Sequence, residues 1–237
     1  MHDFNLAQWM AMLAGVGILL FDLGVVLNLV LCGLFPSIIR AGSEGGPQEF
    51  EQFAEDAGAR LTVFQLQELG FKPLGIKVEY MPLWGRVREL AMASADARAF
   101  ASIGILFGKV RTFYYYTTFA DGGLVLTAQK GFPRTTAAGC VIGSHPGTGA
   151  NELLEIHQSC VDNCVEEGQV INDDYSMGGR VEATYHYYAA GPARKQSRNV
   201  GLGILGFFIF LAFVGIRLVM SGLTGDFTWI GRFFGAW

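Results

Sequence analysis

Residues 6–39 read LAQWMAMLAGVGILLFDLGVVLNLVLCGLFPSII, and this apolar stretch decides the fold. A second stretch, residues 200–223, reads VGLGILGFFIFLAFVGIRLVMSGL and carries Arg217 as its only charge. A helix needs about 20 consecutive apolar residues to cross the hydrocarbon core of a bilayer, and both stretches are long enough. The sequence therefore predicts two transmembrane helices with a separate domain between them, at residues 47–193.

The composition agrees with a membrane protein. Of the 237 residues, 51% are hydrophobic and only 16% are charged, against roughly 25% charged residues in a typical soluble domain. The net charge of −4 offers no basic surface for nucleic acid, so the lipid bilayer is the expected partner and nucleic acid is not. No cofactor is predicted, and the cysteine spacing indicates no disulfide framework.

The first apolar stretch differs from a cleaved signal peptide. Residues 1–5 contain Asp3 and no Lys or Arg, and the apolar run is longer than a signal peptide needs. Residues 29–33 are similar to a lipoprotein cleavage box, but Leu31 stands where such boxes carry a small residue. The sequence predicts a retained helix, and lipidation of Cys32 stays an open alternative.

Charged residues beside the two stretches indicate the orientation of the chain. Lys and Arg accumulate on the cytoplasmic side of membrane proteins. Here they flank the domain side of both stretches, at Arg40, Arg194, Lys195 and Arg198. We therefore expect a two-span protein of a bacterial inner (cytoplasmic) membrane, with the domain in the cytoplasm and both termini outside. Residues 226–237 place aromatic side chains at helical spacing, which predicts an amphipathic segment at the membrane interface.

Residue patterns in the domain predict a sheet. Alternation, together with β-branched and aromatic residues, favours five strands: 73–80, 88–94, 98–107, 111–119 and 123–130. Asp121 and Gly122 form a hairpin turn pair between the last two. Lys77 and Glu79 fall on the polar side of the half-buried strand 73–80. We predict an α+β fold, an antiparallel four- or five-stranded meander with packed helices.

Helices and loops fill the rest of the domain. Apolar residues at helical spacing predict helices over 47–58, 59–69 and 150–167, and a further helix from about Gly179. Two segments rich in glycine are predicted to be irregular: the linker 41–46 and the loop 131–149. Tyr114 and Tyr116 share one strand face and are expected to lie under a helix.

One helical face carries possible metal ligands. His157, Cys160 and Cys164 are spaced at i, i+3 and i+7, so one face presents all three. Together with Cys140 or His145 they form a candidate zinc site. The alternative is packing, because a buried free cysteine behaves as a small hydrophobic residue.

The glycine-rich segment before this helix is a possible anion loop. Gly143, His145, Gly147 and Gly149 lead into the predicted N-terminus of helix 150–167, where backbone N–H groups can bind an anion. The segment lacks the Lys and Ser/Thr of a nucleotide-binding P-loop. A plain flexible connection is the alternative interpretation.

Two charges interrupt the apolar stretches. Counted from Pro36 and Val200, Asp22 and Arg217 lie roughly 21 and 25 Å deep, at about 1.5 Å per residue. A lone charge at the centre of a span costs about 2.5–3.5 kcal/mol. The sequence therefore predicts an intramembrane ion pair between them. The alternative is that Arg217 reaches the outer interface by itself.

The sequence indicates binding more than chemistry. No Ser-His-Asp or Cys-His-Asn pattern is present, while Ala7, Ala11 and Gly15 recur at a spacing that lets helices approach closely in lipid. We expect a membrane-anchored, non-catalytic binding or scaffolding protein, as an accessory subunit of a larger membrane complex or as a homo-oligomer. The alternative is an enzyme or a metal-dependent sensor that uses the His157 face and the glycine loop.

Overall fold

The structure, a computed structural model, describes residues 4–81, 85–106, 108–132, 134–137, 139–189 and 191–233. The chain forms two compact units. One contains the N-terminal and C-terminal helices, and the other contains Ser37–Met81 and Gly85–Gln196. The N-terminal residues 1–3 and the last part of the predicted amphipathic segment, 234–237, lie outside the described residues.

The elements follow one another in this order: α1 (Leu6–Phe21), a π-helical segment (Asp22–Val26), α2 (Leu27–Leu34), a 3₁₀ turn (Pro36–Ile38), β1 (Arg40–Glu44), α3 (Pro47–Asp56), α4 (Arg60–Glu68), β2 (Phe71–Tyr80), β3 (Arg86–Ser94), β4 (Phe100–Leu106), β5 (Lys109–Thr118), β6 (Leu124–Ala128), β7 (Thr135–Ala137), β8 (Cys140–Ser144), α5 (Ala150–Glu166), α6 (Met177–Ala189), α7 (Gly191–Thr224) and α8 (Thr228–Phe233).

In the helical unit, the N-terminal helix and α7 pack against each other as an antiparallel pair. A Cβ atom placed on Gly15 would lie 2.7 Å from the carbonyl oxygen of Gly215, and one on Gly33 would lie 2.6 Å from the Cα of Gly201. Such distances leave no room for a side chain, so glycine is what permits this approach. Ala11 and Gly15 are buried, as the small-residue spacing predicts, while Ala7 is exposed.

The outer surface of this antiparallel helix pair, called the helical hairpin below, is apolar. The spans Leu6–Leu34 and Ala193–Thr224 are long and apolar enough to cross a membrane. Large apolar side chains on both spans are exposed, among them Leu13, Leu20, Phe207 and Phe213. A core helix of a soluble protein would bury most of these side chains, whereas a lipid-facing helix exposes them.

The globular unit is built on one mixed sheet of eight strands, in the order β1-β2-β3-β4-β5-β6-β8-β7. Strands β1 to β6 form an antiparallel meander, β8 runs parallel to β6, and β7 is antiparallel to β8. The α+β class is as predicted. The predicted hairpin around Asp121 is confirmed by the pairing of Tyr114 with Ala128 and of Thr118 with Leu124.

The predicted four- or five-stranded antiparallel meander is wrong in size and in its last strands. The predicted linker 41–46 overlaps β1, and the predicted loop 131–149 contains β7 and β8. These three strands have three to five residues each and are rich in Gly, Ser, Thr and Ala. Their pairing rests on backbone hydrogen bonds to neighbouring strands, and so short a run shows no period-two pattern.

Helices cover both faces of the sheet. Side chains of α3, α4 and α5 share a core with Tyr115 and its neighbours on one face. Ala183 of α6 shares a second core with Tyr114 and Tyr116 on the opposite face, as expected for residues under a helix. The helix predicted over 150–167 is α5, and the one predicted from about Gly179 is α6.

Candidate functional site

Within the described part of the chain, the highest concentration of buried charge lies between the sheet and α6. Lys77 of β2 stands opposite Glu89 of β3 in the strand register. Lys77 is only 1% exposed, so the sequence-based assignment of this strand face to the exposed side is wrong. The cause is α6, which covers this face and brings Arg180, a second buried cation, over the sheet.

Arg180 joins α6 to three strands. Its Nη2 donates to Glu89 Oε2 at 3.2 Å and to the Tyr114 hydroxyl at 2.7 Å. Its Nε donates to Ser102 Oγ at 3.0 Å, and its Nη1 donates to Thr184 Oγ1 at 3.2 Å. The guanidinium also lies 5.4 Å from the ring centre of Tyr116, a cation–π distance. Each edge of the guanidinium therefore has a partner.

Lys77 is equally well paired. Its Nζ lies 2.6 Å from Glu79 Oε1, 2.8 Å from Glu89 Oε2 and 3.2 Å from Thr184 Oγ1. An ammonium group has three N–H donors, so all three are used. The second oxygen of Glu79 accepts from the Tyr188 hydroxyl at 2.7 Å.

Charges in this cluster balance. Two cations, Lys77 and Arg180, face two carboxylates, Glu79 and Glu89. Burial alone would raise the pKa of Glu89, but the charges of Lys77 and Arg180 outweigh burial and lower that pKa. Glu89 also accepts from the Tyr114 hydroxyl at 2.7 Å. The cluster thus pairs two formal charges of each sign, and such pairing limits the cost of burying them.

These pairings limit what the cluster can do chemically. A cavity of about 100 Å³ borders it, lined by Lys77, Tyr187 and Phe132 among others. A nucleophilic lysine needs a free, uncharged amine and a general base needs a free oxygen. Lys77 does not meet the first condition, since its Nζ is held by two carboxylates. The lowered pKa of Glu89 makes that carboxylate a weak base. The arrangement fixes the position of α6 on the sheet.

The sequence-predicted metal site is not assembled around His157. Thr117 Oγ1 donates its only proton to the Arg98 carbonyl at 2.6 Å, so it accepts from His157 Nε2–H at 2.9 Å. The other ring nitrogen, Nδ1, then accepts from Thr127 Oγ1 at 3.1 Å. Burial, with a smaller effect of the Arg98 charge, lowers the pKa of His157 to about 3. His157 is thus a neutral imidazole with both nitrogens engaged.

The three cysteines of that prediction pack as apolar side chains. Cys164 contributes to a core cluster with Cys160 beside it, while Cys140 belongs to the core under α6. Burial raises the pKa of Cys140 to about 11. Among the described residues, no group of three His, Cys, Asp or Glu side chains is arranged to hold a metal ion.

The predicted anion loop is divided between a strand and a turn. Gly143 belongs to β8 and pairs with Thr127, and the His145 backbone N–H donates to the Ala128 carbonyl at 2.8 Å. Gly147 has φ +86 in the turn, and Gly149 caps α5. The surface cavity at this end of α5 is lined by Glu68 and Glu152, whose charges disfavour an anion.

Asp22 and Arg217 are not brought together. The contacts of Gly15 and Gly33 with α7 place the two residues about six positions, or roughly 9 Å, apart along the helix axis. Asp22 is buried in the π-helical segment. The Arg217 guanidinium lies over the rings of Phe213 and Trp229, at 5.9 and 5.7 Å. No ion pair within the described part of the chain includes either residue.

Sequence reasoning missed the ionic cluster, although a signal for it exists. Lys77 and Glu79, of opposite charge, lie on one face of β2. If another element packs on such a face of an internal strand, that element has to supply charged or polar partners. Arg180, in an otherwise weakly charged helix, is such a partner. Comparison with family models, with curated proteins and with solved structures found no match for this chain, so its function has to be argued from its geometry.

Proposed function

We propose that this chain is a membrane-anchored, non-catalytic binding or scaffolding protein that serves as an accessory subunit of a larger membrane assembly. The observation that carries the proposal is the glycine-packed helical hairpin with an apolar outer surface. A helix pair of this kind fits a bilayer and offers large exposed apolar side chains, Phe207 and Phe213 among them, to a neighbouring membrane helix or to a second copy of the chain.

Chemistry in the globular unit supports a binding role over a catalytic one. Lys77 and Arg180 are held by carboxylates and hydroxyls, and His157 has both nitrogens occupied. An active site keeps at least one perturbed group free to meet a substrate. The alternative of an enzyme or metal-dependent sensor built on the His157 face has less support, since the fold engages that imidazole internally.

The charge bias beside the spans supports an orientation. Arg194, Lys195 and Arg198 precede the apolar part of α7, which favours a cytoplasmic globular unit and external termini in a bacterial inner membrane. In that orientation the globular unit presents its surface to cytoplasmic proteins while the hairpin holds it beside a membrane partner.

Co-purification from membranes tests the proposal. The tagged full-length chain is extracted in mild detergent, and the stoichiometry of co-purifying membrane proteins is measured. Gly15→Leu disrupts the contact with Gly215, whereas Gly17→Leu points into open space and is the matched control. We expect a stoichiometric partner or a homo-oligomer with wild type and Gly17→Leu, and its loss with Gly15→Leu.

Two outcomes would contradict the proposal. One is a chain that purifies from membranes as a monomer with no stoichiometric protein. The other is tightly bound zinc that is lost in Cys160→Ala, since that result would favour the metal-dependent alternative.

A further inference from the structure

A second cavity of the globular unit lies on the sheet face opposite α6. It has a volume of about 250 Å³ and lies between the β3–β4 turn, the turn that precedes β2, and α5. Its walls are mainly apolar, with Phe71, Ala99, Leu154 and Val161 among them. A concave apolar site with a few polar groups at its edge is the usual form of a small-molecule site.

Arg98 supplies the cationic edge of this cavity. Its backbone N–H donates to Ser94 Oγ at 3.1 Å, and its carbonyl accepts from Thr117 at 2.6 Å, so its backbone is fixed on both sides. The preceding residue, Ala97, has a backbone φ of 53°, a left-handed conformation that residues other than glycine rarely adopt. Backbone held in such a conformation is common where a loop clamps a ligand.

The Arg98 side chain has donors to spare. Its Nη2 pairs with Asp162 Oδ1 at 2.5 Å. Within the part of the chain that the structure describes, its Nε and Nη1 have no hydrogen-bond partner. One edge of the guanidinium is therefore available to a planar hydrogen-bond acceptor, and a carboxylate matches its geometry best. Asp96 also borders the cavity, but it is exposed at the tip of the turn.

His157 forms part of the cavity wall as an uncharged ring. Its two nitrogens are bound to Thr117 and Thr127, so the ring offers the cavity only its carbon surface. Of the residues that line the cavity, Arg98 and Asp96 are charged and Ser94, Gln158 and His157 are polar, while the rest of the wall is apolar. The cation that can meet a ligand there is Arg98.

We propose that this cavity binds a small apolar monocarboxylate, with the carboxylate on Arg98 and the hydrocarbon part against Leu154, Phe71 and Val161. A water molecule occupies about 30 Å³ of liquid, so 250 Å³ has room for about eight non-hydrogen atoms. Hexanoate and benzoate match that size. This inference goes beyond the proposed function and does not depend on it, because each lining residue belongs to the globular unit.

The test is calorimetric titration of hexanoate into the full-length protein in nanodiscs, with empty nanodiscs as the blank. We expect saturable one-to-one binding with Kd ~1 mM or tighter, which requires about 0.5 kcal/mol from each of about eight ligand atoms. Hexan-1-ol should bind at least tenfold more weakly. Arg98→Gln should weaken hexanoate at least tenfold, and Arg60→Gln, at an exposed arginine of α4, should leave it unchanged.

A cavity-filling variant separates shape from charge. Leu154→Trp reduces the free volume and should abolish hexanoate binding, with unchanged far-ultraviolet circular dichroism as the check on folding. The proposal is overturned if wild type shows no saturable binding, if hexan-1-ol or hexylamine binds as tightly as hexanoate, or if Arg98→Gln binds like wild type. A protein that keeps its membrane partner but does not bind hexanoate overturns this inference alone.

Discussion

Lowering the pH should destabilise the globular unit through His157. The folded imidazole has a pKa of about 3, against an ordinary value of 6.5. Because the folded pKa is lowered, the unfolded chain binds more protons between these two values. The stabilisation from His157 is therefore complete above about pH 6.5 and is lost as the pH falls toward 3.

The size of this effect follows from the two pKa values. A pH of 5 lies about 1.5 units below the ordinary pKa of an imidazole in the unfolded chain. Each pH unit corresponds to about 1.4 kcal/mol. His157 alone should then lower the free energy of unfolding by about 2 kcal/mol between pH 7 and pH 5. That is a large part of a total of about 5–15 kcal/mol for a typical domain.

Hydrogen–deuterium exchange of α5 and β6 measures this free energy in the full-length protein, after correction for the intrinsic pH dependence of exchange. His157→Gln removes the titration, so the pH-induced loss in the variant should be smaller by about 2 kcal/mol than in wild type. Equal losses in the two proteins would refute the reasoning. So would a ¹⁵N-histidine spectrum in which His157 is protonated at Nδ1 or titrates near pH 6.5.

Three further results are expected. Glu89→Gln removes a carboxylate from two buried cations and should lower the free energy of unfolding by about 3–5 kcal/mol. The control Glu55→Gln, at an exposed ion pair, should change it by less than about 0.5 kcal/mol. Urea titration followed by far-ultraviolet circular dichroism measures both values. Cys140, with its pKa raised to about 11 from 9.0, should be alkylated at pH 8 about 100-fold more slowly than in the unfolded chain; mass spectrometry of quenched samples measures this, and equal rates would be inconsistent with a buried thiol. Tyr185→Phe removes the hydroxyl that bonds the backbone of Ala41 on the edge strand β1, so amide exchange of β1 should accelerate by about fivefold, corresponding to about 1 kcal/mol; unchanged exchange there would contradict this role of the hydroxyl.

Strong local patterns explain which elements the sequence reveals. The helix α5 combines an apolar face with glycines at both ends, and the β5–β6 hairpin combines aromatic strand residues with an Asp-Gly turn. Each signal lies within about twenty neighbouring residues, and the structure confirms both. The strands β1, β7 and β8 have no such pattern, since their stability comes from strands distant in sequence.

The ionic cluster could not be derived from local patterns. Lys77 and Glu89 lie on neighbouring strands, but Arg180 comes from a helix 91 positions beyond Glu89. From the sequence, the alternation of polar and apolar residues predicts that the polar face of β2 is exposed. That face is buried because α6 packs over it. The position of Arg217 along the helix axis relative to Asp22 could not be derived from the sequence either. The glycine contacts between the two helices determine it, and the ends of the apolar stretches do not.

Cysteine accessibility in intact cells tests the membrane-anchored arrangement most directly. Asn5→Cys and Asp121→Cys, both at exposed positions, are introduced singly into a chain whose four native cysteines are replaced by alanine. An impermeant maleimide is then applied before and after permeabilisation. The account predicts that Asn5→Cys is labelled in intact cells and that Asp121→Cys is labelled only after permeabilisation. Labelling of Asp121→Cys from outside, or protection of both positions in intact cells, would contradict it.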